Sequence, residues 1–142
     1  MRNIILFAGL LSVAASPAAA GCYKVTVKNE SNKPVSAFWR ALGCAGVTED
    51  YSVVCNSATI KPGDKKSYNY KWGTTLPKVS VSYTYKHSNE APRLHENFVY
   101  QNGSFKTSNR SHSVPSCGKS YSFSVTQSDI ERMEKKHNKA KH

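Results

Sequence analysis

An all-β fold, an antiparallel β-sandwich or barrel-like stack of about 7–9 short strands, is what this sequence predicts. Three observations carry the prediction. Apolar and polar residues alternate with a period of two in one segment after another. Gly, Pro, Asn and Asp punctuate the intervals between those segments. Four cysteines follow a leader of the export type. The 142 residues leave room for one domain and exclude a large α/β cofactor enzyme. No heptad run supports a coiled coil. Beyond the leader no apolar stretch approaches the ~20 residues of a membrane helix.

Residues 1–20 read as a signal peptide. Met1-Arg2-Asn3 gives a cationic start, Ile4 to Ala15 an apolar run, Ser16-Pro17 a break, and Ala18-Ala19-Ala20 small residues for cleavage before Gly21. Ala19-Ala20-Gly21-Cys22 also resembles a bacterial lipobox. Lipid on Cys22 would leave an odd number of thiols, so two disulfides among Cys22, Cys44, Cys55 and Cys117 are the simpler expectation. Cys44 and Cys55 flank a short Gly-containing segment that closes easily. Cys22 then joins Cys117, tying the first strand to the approach of the last. The expected location is secreted and extracellular, or the periplasm of a bacterium.

The domain is expected over 21–128. Tyr23, Val25 and Val27 alternate with Lys24, Thr26 and Lys28. With Val35 to Arg40 across the turn-rich segment 29–34, they predict a first hairpin. Tyr51 to Asn56 and Ala58 to Lys61 are short β-type runs, and Pro62-Gly63-Asp64 is a turn. Lys66 to Trp72 places Tyr68, Tyr70 and Trp72 on one face, and Gly73 to Pro77 breaks the chain. Lys78 to Lys86 alternates without exception through Val79, Val81, Tyr83 and Tyr85. Asn97 to Gln101 and Ser104 to Ser108 flank Asn102-Gly103, a strong hairpin signal. Lys119 to Gln127 alternates through Tyr121, Phe123 and Val125. Over 129–142 a basic tail is expected to form a short helix, capped by Ser128 and Glu131, that docks weakly through Ile130 and Met133.

Charge is the quantitative functional clue. Past the leader, 19 Lys and Arg face nine Asp and Glu, a formal +10. Within 21–128 there are 14 basic and six acidic residues, +8, so the charge belongs to the body. Such a surface attracts acidic macromolecules through fields that salt screens. The leading expectation is therefore a non-enzymatic, effector-like, toxin-like or adhesion binding protein. Its partner would be an acidic polysaccharide, nucleic acid, acidic protein or host surface component, with no stable membrane insertion. Lys65, Lys66, Lys71 and Trp72 are the candidate contacts, because cations interleave there with aromatics. Period-two aromatics also mark a core face, which is the competing reading of Tyr68, Tyr70 and Trp72.

The alternative is a small secreted metal-independent hydrolase, most plausibly a ribonuclease. His87, Glu90, Arg93 and His95 crowd what reads as a polar loop, and His112 joins from a later one. Such groups supply a base, an acid and a phosphate clamp when they converge. No nucleophile elbow, phosphate-binding glycine loop or zinc-protease helix occurs, and the spacing of Cys and His does not suit a metal. No cofactor is implied. Sequons fall at Asn29, Asn102 and Asn109.

Overall fold

The computed structural model describes residues 21–44, 53–84, 93–108 and 113–140. The leader, His87, Glu90, Asn109, His112 and the last two residues lie outside them. Among the described residues, β1 (Tyr23–Glu30), β4 (Lys65–Tyr70) and β8 (Ser120–Thr126) form one sheet, in the order β4-β1-β8. A second sheet contains β2 (Val35–Leu42), β3 (Val54–Ile60), β5 (Thr75–Thr84), β6 (Arg93–Gln101) and β7 (Ser104–Thr107), in the order β3-β2-β5-β6-β7. Helix α1 (Gln127–Ala140) follows β8. The all-β sandwich-like reading holds, with one qualification: β1 and β8 run parallel, while the other pairings are antiparallel.

Alternation builds the core between the sheets. Val25 and Val27 of β1 meet Val35, Ala37 and Trp39 of β2, Val79 and Val81 of β5 and Phe98 of β6, all buried. Two side chains stitch the layers. The Trp39 indole donates to the Val25 carbonyl at 3.1 Å, and the Tyr70 hydroxyl donates to the Arg40 carbonyl at 3.0 Å. Rings fill the rest: Tyr23 stacks on Tyr70 at 4.8 Å and Phe98 on Phe123 at 4.5 Å. Tyr68 and Tyr70 therefore take the core face, whereas Trp72 lies beyond β4 and is 64% exposed.

Both expected disulfides are present, Cys22–Cys117 and Cys44–Cys55. They sit at the same end of the sandwich, where β1, β3 and β8 begin and β2 ends. Cys22 closes a separation of 95 residues, so most of its contribution of about 2–4 kcal/mol comes from restricting the unfolded chain.

The expected β1–β2 hairpin does not form; the two strands belong to different sheets. Asn29 supplies the reason. Its buried amide donates to the carbonyls of Lys33 (2.7 Å) and Ile60 (2.9 Å), and its Oδ1 accepts from the N–H and the hydroxyl of Ser31. Its main chain meets the next turn as well: Asn29 N–H donates to the Asp64 carbonyl, and Gly63 N–H to the Asn29 carbonyl. These bonds bend the chain into an arch that crosses between layers instead of returning along one. They also leave the Asn29 sequon buried at 1% exposure, whereas Asn102 is exposed at the tip of its hairpin. Asn102 and Gly103, with φ of 47° and 90°, form the primed turn that their sequence predicts.

Replacing Asn29 removes bonds to four groups, several of them buried. Asn29→Ala is expected to lower unfolding stability by about 2–4 kcal/mol in urea melts. A loss within ~0.5 kcal/mol would show that the arch forms without it.

Candidate functional site

Strand β6 positions the site. Arg93, His95 and Asn97 alternate with Leu94, Glu96 and Phe98, and the latter three are buried. The expectation of a loop through Arg93–Glu96 is thus corrected. A stretch rich in charge is strand here because its apolar alternation with Leu94, Phe98 and Tyr100 is satisfied by pairing to β5.

On the outward face, neighbouring strands contribute in rows. Arg40 of β2 lies directly opposite Lys78 of β5. The next row runs Phe38, Ser80, Asn97, and the one after it Ser36, Ser82, His95. Thr84 then pairs with Arg93. Together Phe38, Arg40, Lys78, Ser80, Ser82, Arg93, His95 and Asn97 line a cavity of about 490 Å³ with no carboxylate in its wall. The Arg40 guanidinium sits 5.8 Å from the Phe38 ring centre. Ser80 donates to Asn97 Oδ1 at 2.9 Å, and Arg93 Nη1 donates to Ser82 Oγ at 3.2 Å. Burial and then the neighbouring Arg40 push the Lys78 amine below the usual lysine range.

The backbone around Arg40 and Lys78 is irregular on both sides. Pairing of β2 with β3 slips between Trp39 and Arg40, and its pairing with β5 slips between Arg40 and Leu42. Leu76, two residues before Lys78, holds a φ of 50°. Pro77 follows it and has no N–H for the ladder, so β5 opens on a bulge where Gly73 to Pro77 reads in the sequence as a break. A left-handed Leu costs of order 1–2 kcal/mol, and such strain tends to gather where side chains are aimed for use.

The inward face of β6 does a different job. Glu96, 5% exposed among core residues, accepts two parallel bonds from Arg132 of α1, Nε to Oε1 and Nη2 to Oε2, both 2.9 Å. Lys136 adds a contact at 3.2 Å, and Arg132 also pairs with Asp129. The Arg132 guanidinium is pushed further up by these bonds, that to Glu96 foremost. Tyr83 of β5 donates to Glu134 at 2.6 Å. Ile130 and Met133 are almost fully buried beneath. The helix docks firmly, not weakly. Its cap lies two residues earlier than Ser128-Glu131 implies: Thr126 N–H donates to Asp129 Oδ2 at 2.7 Å, and Asp129 N–H returns to Thr126 Oγ1 at 3.2 Å.

The remaining sequence candidates are dispersed. Lys65 and Lys66 lie exposed where β4 begins, while Lys71 and Trp72 lie exposed past its far end, about 20 Å of strand away. Lys28 and Lys65 line another cavity, of about 630 Å³, but Glu30 and Asp64 share its wall. Of the proposed hydrolytic set, Arg93 and His95 come together on one face of β6. Glu90, His87 and His112 are not described. Sequence reasoning missed Arg40 and Lys78, whose meeting depends on a register 38 residues apart along the chain. Among the described residues no cluster of His, Cys, Asp and Glu is arranged to hold a metal, and no helix is long and apolar enough to cross a membrane. Comparison with protein-family models, curated proteins and solved structures found no match.

Removing Arg132 strips a buried carboxylate of its bidentate partner while Lys136 remains. Arg132→Met is expected to cost about 2–3 kcal/mol in chemical denaturation, and adding Glu96→Leu to restore most of it. No recovery in the double variant would place the cost elsewhere.

Proposed function

We propose that this chain is a secreted, disulfide-braced binding protein that takes an acidic macromolecule on the outer face of its larger sheet. One observation carries the reading: Arg40, Lys78 and Arg93 line a cavity whose wall holds no carboxylate and whose floor is hydroxyl and amide. Cations placed directly across a strand pair repel, by roughly the few tenths to 1 kcal/mol that opposite charges gain there. An arriving anion relieves that repulsion and releases counterions, so binding weakens as salt rises. The two disulfides suit an oxidising location outside the cell. The cavity is of the size that small ligands or a few units of a polymer occupy. Phe38 offers the ring face against which a sugar or base packs.

The hydrolase reading gains no specific support. Catalysis needs its acid, base and clamp to meet at one reacting group. Glu96 projects from β6 opposite to Arg93 and His95 and is engaged by Arg132 and Lys136.

Immobilised heparin tests the proposal. The parent is expected to be retained and to elute with salt. Arg40→Gln and Lys78→Gln should elute earlier, each with a binding loss of about two- to fivefold, and Lys65→Gln should elute unchanged. Lys78→Gln should also be no less stable than the parent, because its charge is disfavoured in the fold. Elution of the parent without added salt, or equal losses in all three variants, contradicts the proposal.

A further inference from the structure

A second cavity, of about 520 Å³, lies between β6, the end of β7 and helix α1. It shares Arg93, His95 and Asn97 with the first, so the two are neighbouring halves of a trough that bends around β6. The short strand β7 pairs with β6 only from Phe98 to Gln101, and a last bond runs from Ser108 N–H to the Asn97 carbonyl. The stretch Arg93–Glu96 thus lies past the end of β7, and the trough passes it there. Along its length the walls hold five Lys or Arg and one carboxylate, Glu96, which Arg132 and Lys136 already engage. Lys136 keeps two thirds of its side chain exposed despite that contact.

From these observations we infer that the ligand is a linear acidic polysaccharide whose chain occupies both halves at once, anchored at Arg40 and Lys78 and reaching Lys136 past Arg93. The inference rests on the proposal that the sheet face binds an acidic macromolecule, and it names the polymer. Length argues for a polymer. Lys78 to the Ser82–His95 row is about 13 Å along β5, and the step around β6 to α1 brings the path to about 20 Å, several sugar units. The walls argue for sugar over nucleic acid. Phe38 is the sole aromatic in either wall, whereas single-stranded nucleic acids are held by successive aromatic platforms. Hydroxyl and amide groups of Ser80, Ser82, Asn97, Thr107 and Ser108 match the hydroxyls of a sugar chain instead.

Size-fractionated heparin, from tetrasaccharide to dodecasaccharide, provides the test by calorimetry on the full mature chain. One chain engaging two subsites gains affinity through effective concentration, so a rise of about tenfold or more is expected between the two lengths. Lys136→Gln is expected to abolish most of that rise while leaving the tetrasaccharide within about twofold of the parent. Lys136→Arg, which keeps the charge, should retain it and so separates loss of charge from a disturbed helix. Equal affinity at all lengths, or an undiminished rise in Lys136→Gln, overturns the inference. Tighter binding of single-stranded RNA or polyglutamate of matched charge overturns it too. If the underlying reading were at fault, even the tetrasaccharide would fail to bind and Lys78→Gln would change nothing.

Discussion

The paired hydrogen bonds between Glu96 and Arg132 are the constraint from which the rest of the site follows. A carboxylate on the core face of a strand is costly unless a charged, well-aligned partner meets it. Arg132 does so from the helix, and the helix is thereby fixed against β6. Fixing Glu96 inward fixes the parity of the whole strand, because side chains alternate. Arg93 and His95 must then face outward, beside Lys78 and Arg40. A single ion pair on one side of a strand thus decides where the positive face lies on the other.

The sandwich makes that arrangement rigid. Trp39 and Tyr70 reach across the layers to main-chain carbonyls, one of them the carbonyl of Arg40 itself. Both disulfides clamp the end of the sandwich toward which Arg40 and Lys78 lie, and the Asn29 arch holds the opposite end. The strained Leu76 and the slipped registers around Arg40 are borne by this frame. Binding by a preformed face loses less ordering entropy than binding by loops that must first settle.

Much of the fold was legible in the residues. The unbroken alternation of Lys78 to Thr84, the Asn102-Gly103 turn and the even cysteine count each express a local rule, and local rules survive folding. The sheet membership of β1 and β2 was not legible. It turns on a buried Asn29 side chain bonded to Ile60, 31 residues away. The cap moved from Ser128 to Thr126 because Asp129 competes with Glu131 for the third helical position, and spacing alone does not rank them. At the site the alternation Leu94, Glu96, Phe98 was present, but the density of charge masked it as a loop. Arg40 and Lys78 each look like an ordinary solvated cation, and only the strand register reveals them as neighbours. The aromatic-cation run from Lys65 to Trp72 was conspicuous in sequence, yet a strand's length separates its two ends.

Chemical-shift mapping tests the central claim most directly. Backbone amides of the isotope-labelled chain are followed while an acidic oligosaccharide is added. The account predicts that the largest shifts fall on the outward positions of β2, β5 and β6, at Phe38, Arg40, Lys78, Ser80 and His95, with Lys28 and Lys65 on the smaller sheet unmoved. Shifts concentrated on the smaller sheet or around Trp72, with the Arg40–Lys78 face silent, would contradict it.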